Sequence, residues 1–263
     1  MIKAKYYLGV SAFAKAVFLT LTLTILSSCK EKQTVLSSGS ADLYPIDSTL
    51  TAVDSLEQFI KPYRVNLAKQ MDSVISYNEK LMHKNDFELN TPISNMFAQV
   101  VREQGNSVYR SRTGKDIDVI LLNHGGIRAA LPQGNITMGN AYEIMPFENK
   151  IVVAELSREK MEGLIRYLVE KKRAHPIEGM KITLAKDGSL KEVLIGGKPL
   201  DDYETFAVAT NDYLYGGGDN MIFFADSPVM DLDYKLRNAI IDYLRKTDTL
   251  KFERDDRFDY EKN

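Results

Sequence analysis

The pattern of apolar and polar positions predicts that the folded region begins with a helix and continues into a strand. Apolar residues recur at helical spacing over residues 50–61, and Pro62 is expected to end or interrupt this helix before residues 63–72 resume it. Residues 74–82 alternate between apolar and polar side chains, which indicates a strand. The expected order is therefore one helix, broken at the proline, and then a strand.

A second helix is predicted to begin near Pro92. Proline suits the first turn of a helix, and Asn90 or Thr91 can cap it. Gly105 follows the expected end of this helix. Near the other end of the chain, residues 233–246 have the spacing of a last helix.

Buried strands are predicted from short apolar runs at residues 117–122, 151–156 and 206–210. Ser157 is expected to cap a helix that extends to about Lys172. A hairpin is predicted from residues 182–185 and 192–195 around the turn at residues 186–189. Strands and helices without strict alternation predict an α+β fold with mixed α/β layers.

The first 28 residues have the pattern of a bacterial export signal. Lysines come first, an apolar run follows from Ala16 to Leu26, and Ser27 and Ser28 directly precede Cys29. About eleven apolar residues are too few to span a bilayer, which needs about 20, but they suit the core of a signal peptide. The segment that ends at Cys29 resembles the lipobox of bacterial lipoproteins, in which the cysteine thiol is lipidated.

This resemblance implies a lipoprotein signal peptide at residues 1–28 and a lipid anchor on Cys29. The protein would then be exported and held at a bacterial membrane, on its periplasmic or cell-surface side. A plain secretory signal with an unused cysteine and an N-terminal membrane anchor are the alternatives. Residues 29–49 are polar and small and predict a flexible tether, which leaves residues 50–255 as the folded domain.

Composition narrows the possible functions. The chain has 263 residues, of which 44% are hydrophobic and 27% charged, as in ordinary soluble globular proteins. Its formal net charge of −2 becomes −5 without residues 1–28, which hold three lysines and no acidic residue. This balance gives no electrostatic reason to expect nucleic-acid binding. One cysteine cannot form an internal disulfide, and the three histidines limit what metal chemistry is available.

Two loops that follow predicted buried strands carry side chains suited to holding a ligand. In the first loop, Asn123 offers amide donors and an acceptor, and Arg128 offers a planar fork for a carboxylate or phosphate. Gly125 and Gly126 lie between them and allow positive φ or a close approach of a ligand to the backbone. Taken alone, a glycine-rich turn of this kind is also consistent with a purely structural role.

The second loop, residues 211–219, contains three consecutive glycines. Tyr213 offers a flat face for a ring, and Asp219 can accept hydrogen bonds from vicinal hydroxyls. Neither loop matches a P-loop or the dinucleotide-binding glycine pattern. A third segment places Phe147 directly before a predicted strand, where spacing alone would favour a core aromatic.

Four short motifs occur in order along the chain, at residues 123–128 (Asn-His-Gly-Gly-Ile-Arg), 134–137 (Gly-Asn-Ile-Thr), 146–149 (Pro-Phe-Glu-Asn) and 211–219. In order and spacing they resemble the C-terminal domain of the bacterial and animal 5′-nucleotidases, the group of UDP-sugar hydrolase and ecto-5′-nucleotidase. The resemblance extends over roughly residues 60–250. It implies the fold of that domain, which binds the nucleotide in the family.

The resemblance also implies how a nucleotide would be held. Phe147 and Tyr213 would sandwich the base, Tyr213 standing where the family usually has Phe, and stacking contributes about 1–3 kcal/mol per base. Asp219 would take the ribose hydroxyls. The complete set of implied ligand-binding residues is Asn123, Gly125, Gly126, Arg128, Phe147, Asn149, Gly179, Tyr213, Gly217, Gly218 and Asp219.

The sequence departs from the family pattern in two places. His124 stands where the family usually has the first of three glycines. The family also has a phosphate-side arginine shortly before the helix that starts near residue 92, and residues 83–88 contain no arginine here. Lys84 is the candidate substitute, so the phosphate side of the site is the part that the resemblance defines least.

Full-length members carry out hydrolysis in an N-terminal metallophosphatase domain with a two-metal centre. Its signatures need at least four histidines, whereas this chain has only His83, His124 and His175 and contains none of the signatures. His124 is an unfavourable metal ligand candidate because Gly125 follows it, and His175 is expected to lie in a surface loop. We therefore expect no catalytic residue, metal or cofactor in this chain, and divalent metals only in a partner.

Two functional hypotheses follow. In the first, the chain is the nucleotide-binding half of a split 5′-nucleotidase, and a separate metallophosphatase chain supplies the metals. In the second, it is a stand-alone nucleotide- or nucleoside-binding lipoprotein without hydrolytic activity. A weaker third reading keeps the fold only as a structural or partner-docking module.

Overall fold

The computed structural model of the chain describes residues 13–22, 43–202 and 204–262. The chain divides into two compact units, Met1–Val53 and Asp54–Asn263. In the first unit, residues 13–22 are helical and residues 43–53 are exposed. Cys29 and most of the predicted tether lie outside the described residues. No helix within the described ranges is long and apolar enough to cross a membrane.

The second unit contains both helices and strands, as the apolar pattern predicts. Its described helices are α1 (Asp54–Met71), α2 (Pro92–Val100), α3 (Asn106–Thr113), α4 (Met138–Ile144), α5 (Arg158–Lys171), α6 (Asp212–Tyr215) and α7 (Leu236–Lys246). Its described strands are β1 (Val74–Asn78), β2 (Val119–Leu121), β3 (Gly134–Thr137), β4 (Lys150–Ser157), β5 (Ile177–Glu178), β6 (Met180–Leu184), β7 (Leu190–Ile195), β8 (Lys198–Pro199), β9 (Thr205–Asn211), β10 (Val229–Lys235), β11 (Thr249–Leu250) and β12 (Phe258–Tyr260). The α+β prediction with mixed layers is confirmed.

A five-stranded sheet in the order β10-β4-β9-β2-β5 forms the centre of this unit. Strands β2 and β9 are parallel, while β4 pairs antiparallel with β9 and with β10, and β5 pairs antiparallel with β2. A three-stranded sheet, β11-β1-β3, and a four-stranded sheet, β12-β6-β7-β8, complete the fold. The hairpin predicted around residues 186–189 is β6 and β7.

Strand β2 explains why the core has two parts. Ile120 belongs to the apolar cluster that contains α2 and α7, whereas its neighbours Val119 and Leu121 belong to the cluster that contains α5. Successive side chains of a strand point to opposite faces, so both faces of this sheet are covered. A strand covered on both faces is apolar throughout, as β2 is within the nearly continuous apolar run at residues 117–122.

The structure corrects three boundaries. Helix α1 continues through Pro62 without interruption, and none of its residues is buried. Gly105 does not follow the end of the second helix, because a π-helical turn, Val101–Gly105, joins α2 directly to α3. The predicted last helix at 233–246 is shorter, since residues up to Lys235 extend β10 along β4.

The pairing of the central strands brings the predicted ligand-binding loops to one end of the sheet. Because β2 and β9 are parallel, the loops that follow them, at residues 123–128 and 212–219, leave the sheet on the same side. Strand β4 is antiparallel to β9, with Ile151 opposite Asn211, so residues 147–149 enter the sheet at that same end. Loops at the carboxyl ends of parallel strands are a common place for ligand sites.

Candidate functional site

Asn123 and Asn211 join the two loops at the end of β2 and β9. The Asn211 side chain donates to Oδ1 of Asn123 over 3.0 Å and accepts from the backbone N–H of Leu214 over 2.9 Å. The second bond caps α6, and Asn211 is buried. A capping side chain thus fixes the orientation of the neighbouring loop as well as the helix start.

Gly126 leaves room for the Asn123 side chain. A Cβ atom on Gly126 would lie 2.8 Å from Asn123 Oδ1, which is closer than side-chain carbons approach. Neither Gly125 nor Gly126 has positive φ. Positive φ therefore does not explain this glycine pair, whereas close approach does at Gly126, and the approaching group belongs to the protein itself.

Arg128 links the first loop to Phe147. Its guanidinium carbon lies 5.7 Å from the centroid of the Phe147 ring, within range of a cation–π interaction. Phe147 is 41% exposed, so it is not the core aromatic that spacing alone would suggest. The sequence-predicted residues Arg128 and Phe147 are therefore brought together.

Arg237 holds the backbone of this aromatic segment and was not found by sequence analysis. It is buried on α7, donates to the Phe147 carbonyl over 3.3 Å and forms an ion pair with Glu148. Its guanidinium carbon also lies 4.4 Å from the Tyr142 ring centroid. A buried arginine therefore holds the backbone of the segment that carries Phe147.

Asn149 connects the aromatic segment to the second loop. Its side chain donates to Oδ1 of Asp212 over 2.8 Å, and Tyr213 follows directly. Tyr213 is 45% exposed. Two half-exposed rings, Phe147 and Tyr213, thus stand on segments that are joined by one side-chain hydrogen bond.

Two tyrosines fix Asp219. The Tyr213 hydroxyl donates to Oδ1 of Asp219 over 2.8 Å, and the Tyr167 hydroxyl donates to the Asp219 carbonyl over 3.0 Å. The bond to Asp219 raises the pKa of Tyr213. Asp219 has φ of 53°, a strained backbone conformation for this residue, and the two bonds stabilise it.

The glycines of the second loop serve different purposes. Gly217 has φ of 88°, so its conformation itself favours glycine. A Cβ atom on Gly218 would lie 2.5 Å from two atoms of the Tyr213 ring and 2.6 Å from the Tyr213 carbonyl oxygen. Any side chain at Gly218 would therefore displace Tyr213.

Gly179 lies apart from the other predicted site residues. It follows β5 beside the start of β2, and a Cβ atom there would lie 1.9 Å from the Asp118 carbonyl oxygen. Asn123 is at the opposite end of β2, five residues from Asp118, which corresponds to about 16 Å along a strand. With φ of 80° and this close contact, backbone packing explains the glycine fully.

His175 does not lie in a surface loop, contrary to the sequence expectation. It is buried beside the end of β2, where its Nδ1 is 3.1 Å from the Leu122 carbonyl oxygen and 3.2 Å from the backbone nitrogen of His124. Burial lowers the pKa of His175 to about 4. Pro176, which follows His175, suggested a loop. Instead, β5 pairs with β2, and this pairing places His175 beside the backbone of His124 in the first loop.

His124 ties three segments together. Its Nδ1 donates to the Ala174 carbonyl over 3.1 Å, and its Nε2 lies 3.2 Å from the side-chain oxygen of Asn85. Lys84, next to Asn85, donates to the Ile127 carbonyl over 2.8 Å. Burial, and then the charges of nearby cations, lower the pKa of His124.

No group of three or more His, Cys, Asp or Glu side chains in the described part of the chain is arranged to hold a metal ion. The three histidines differ in environment, since His175 is buried and the Nδ1 of His83 accepts from the Asn85 backbone. The residues that the structure describes therefore do not fit a two-metal centre.

Comparison with known proteins identifies the family of the chain. Residues 70–226 match the family model of the 5′-nucleotidase C-terminal domain. The chain belongs to this family. The matched residues contain the four motifs that carried the resemblance.

Several proteins are similar in sequence to part of the chain. Protein UshA of Escherichia coli is 32% identical over 111 residues, which are 41% of this chain and 20% of that protein. A cell wall protein of Listeria monocytogenes is 27% identical over 187 residues, 65% of this chain and 23% of that protein. The chain thus spans about a fifth of the length of each of these two relatives.

Solved structures share the fold. A 5′-nucleotidase precursor from Thermus thermophilus superimposes with a TM-score of 0.65 at 21% identity, over 80% of this chain and 44% of that one. A putative 5′-nucleotidase from Staphylococcus aureus gives 0.61 at 19% identity, over 82% of this chain and 46% of that one. The fold is that of 5′-nucleotidases, and it corresponds to less than half of each.

Proposed function

We propose that the chain is the nucleotide-binding half of a split 5′-nucleotidase and that a separate metallophosphatase chain supplies the catalytic metals. Two metals would activate water and stabilise the attacking and leaving oxygens in that partner. In this proposal the chain itself contributes binding, through the base, the ribose and the phosphate.

The observation that carries the proposal is the pair of rings at the end of the central sheet. Phe147 and Tyr213 are 41% and 45% exposed, although Arg128 lies 5.7 Å from the Phe147 ring centroid and the Tyr213 hydroxyl is bonded to Asp219. A large aromatic ring that is held in position and left uncovered offers a stacking surface for a flat ligand. Asp219, bonded to Tyr213, places a carboxylate beside that surface where ribose hydroxyls could donate to it.

We also propose that the protein is exported and anchored through Cys29. The signal-like pattern of residues 1–28 supports this, and so does the relative described as a cell wall protein. Metabolic labelling with a palmitate analogue should mark the wild-type chain and leave Cys29→Ser unmarked. Equal labelling of the two would refute the anchor.

The split-enzyme proposal is tested by two measurements on the purified chain. Calorimetry should detect binding of AMP or adenosine, and the lone chain should release no phosphate from AMP with Mn²⁺ or Zn²⁺. Addition of a metallophosphatase encoded beside this chain should start phosphate release. Robust metal-dependent release by the lone chain would contradict the proposal, and binding without release in the presence of the partner would favour a stand-alone binding protein.

A further inference from the structure

We propose that helix α1 lies on the lipid surface of the membrane, with its apolar face at the boundary between the headgroups and the acyl chains. The helix is then an interaction surface whose partner is a lipid bilayer. This inference goes beyond nucleotide binding, and it uses the proposed anchor on Cys29 only for the distance between α1 and the membrane.

Five apolar residues of α1 share one face of the helix. At about 100° of rotation per residue, their side chains fall within an arc of about 100°, and the five charged residues of the helix lie outside that arc. These apolar residues are called the apolar stripe below, and they are Leu56, Phe59, Ile60, Tyr63 and Leu67. The spacing is that of an amphipathic helix, whose apolar face normally packs against a partner.

The domain does not cover the apolar stripe. Phe59 and Tyr63 are each 67% exposed, and their ring centroids lie 5.9 Å apart. The three aliphatic members of the stripe are exposed as well, and none of the 18 residues of α1 is buried. Exposed apolar residues that lie together in this way mark a surface for protein or membrane interaction.

Helix α1 lacks the packing that usually stabilises a helix. Most helical stability in proteins comes from packing of an amphipathic face, and intrinsic propensity contributes less. Pro62 lies inside α1, where proline cannot donate a backbone hydrogen bond. A helix with an internal proline and no buried residue therefore indicates that a partner outside the domain covers the apolar stripe.

The place of α1 along the chain favours a lipid bilayer as this partner. Residues 30–53 separate the proposed lipid anchor on Cys29 from the first residue of α1. A flexible segment of this length has a typical end-to-end distance of roughly 25–30 Å. The anchor would therefore keep the membrane within reach of α1 in every copy, whereas another protein would have to meet the apolar stripe by diffusion.

The charges of α1 also suit a membrane surface. The helix has three cations and two carboxylates, whereas the chain as a whole has more acidic than basic residues. A helix with aromatic and aliphatic residues on one face and charges on the other lies in the interface and does not cross the bilayer. With the lipid on Cys29 as a second attachment, α1 would restrict how the nucleotide site can turn relative to the membrane.

Sedimentation with vesicles of phosphatidylethanolamine and phosphatidylglycerol tests this proposal. The parent protein is the chain that begins at residue 29 and carries Cys29→Ser, so that it has no lipid of its own. It should sediment with the vesicles, and Phe59→Ala/Tyr63→Ala should lower its partition coefficient at least about tenfold, because two large rings would no longer leave water. Neither ring is buried, so the variant should keep its core.

The control Phe87→Ala/Ile222→Ala removes two large apolar side chains that are 46% and 77% exposed elsewhere in the domain. It should bind the vesicles as the parent protein does. Equal vesicle binding by the parent and by Phe59→Ala/Tyr63→Ala would overturn the proposal.

Absence of vesicle binding by the parent protein would also overturn it, and light scattering without vesicles would then identify a different partner. A dimer of the parent that dissociates in Phe59→Ala/Tyr63→Ala would assign the apolar stripe to a second copy of the chain and contradict the lipid surface. No nucleotide enters either measurement, so failure of this proposal is distinguishable from failure of nucleotide binding.

Discussion

At the scale of single residues, the site depends on side chains that bind the backbone or side chains of other residues in the site. His124 joins two loops, Arg237 holds the Phe147 carbonyl, and Tyr213 fixes Asp219. None of these roles can be read from residue type and spacing, because each depends on a partner at least six positions away along the chain. The candidates that sequence analysis named were chosen for what they could offer a ligand, and their supports became visible only through the fold.

Burial of His175 should make the stability of the folded chain decrease in acid. Its pKa is about 4 in the folded chain because it is buried, and about 6.5 when unfolded. Below pH 6.5 the unfolded chain therefore binds a proton that the folded chain does not, so stability falls as the pH decreases from 6.5 towards 4. We expect the free energy of unfolding to be about 2 kcal/mol lower at pH 5 than at pH 7.5.

Denaturant unfolding of the wild type and of His175→Gln at both pH values measures this effect. The variant should be less stable at pH 7.5, because it changes a buried side chain, but its stability should fall much less between the two pH values. An identical pH dependence in the two proteins would show that His175 is not the titrating group.

Substitution of Gly218 should weaken nucleotide binding. In Gly218→Ala the new methyl group would meet the Tyr213 ring and carbonyl, so Tyr213 must move. We expect AMP binding to weaken by roughly 5- to 150-fold, the range for loss of one stacked ring. Gly163→Ala is the control, because its Cβ atom would meet only Phe223 at 3.4 Å. Calorimetry that finds unchanged AMP affinity in Gly218→Ala would exclude Tyr213 from the base site.

At the scale of elements, α1 is the least integrated helix of the domain. None of its 18 residues is buried, whereas α7 buries seven of its eleven. Because burial of apolar surface is the main source of stability, α1 should contribute little. A chain that begins at Asp72 should therefore melt within about 4 °C of one that begins at residue 43, which corresponds to about 1 kcal/mol or less.

Phe258→Ala provides the comparison for this prediction. Phe258 on β12 is only 1% exposed, so its truncation should cost about 3–5 kcal/mol. Thermal melts of the three proteins under one condition rank the two contributions. A larger loss of melting temperature from removing α1 than from Phe258→Ala would contradict the burial argument.

A helix or strand could be predicted from the sequence where neighbouring residues determine its boundaries. Helix α5 was predicted with both boundaries, because Ser157 caps it and its apolar spacing is regular. Helix α1 was expected to break at Pro62, but a proline in an exposed helix leaves its carbonyl partner open to water, and the helix continues. The π-helical turn at Gly105 was missed because the glycine suggested a helix end, whereas Gly105 is buried and a Cβ atom there would lie 3.6 Å from the Ile151 side chain of β4.

Only part of the candidate site could be predicted from the sequence. The two loops and Phe147 were named from motifs, and the strand pairing brings them to one end of the sheet. Gly179 was named from the same family pattern, yet its glycine is required by the carbonyl of Asp118. Arg237 was missed because it reaches the aromatic segment from α7, through a tertiary contact that no local pattern specifies.

At the scale of the whole molecule, the chain corresponds to less than half of each 5′-nucleotidase structure that it resembles. The proposed division of labour gives this chain the recognition of the nucleotide and gives a partner the metals. Such a division requires that binding be measurable without the partner, because both proposed stacking rings, Phe147 and Tyr213, belong to this chain.

Titration of the purified chain with AMP, before and after removal of the two rings, tests this requirement most directly. The wild type should bind AMP, and Phe147→Ala/Tyr213→Ala should abolish detectable binding, since loss of each stacked ring costs about 1–3 kcal/mol. Phe59→Ala/Tyr77→Ala removes two other exposed rings and should bind as the wild type does. AMP affinity that is unchanged in Phe147→Ala/Tyr213→Ala would contradict the account, because the nucleotide would then not be held between these residues.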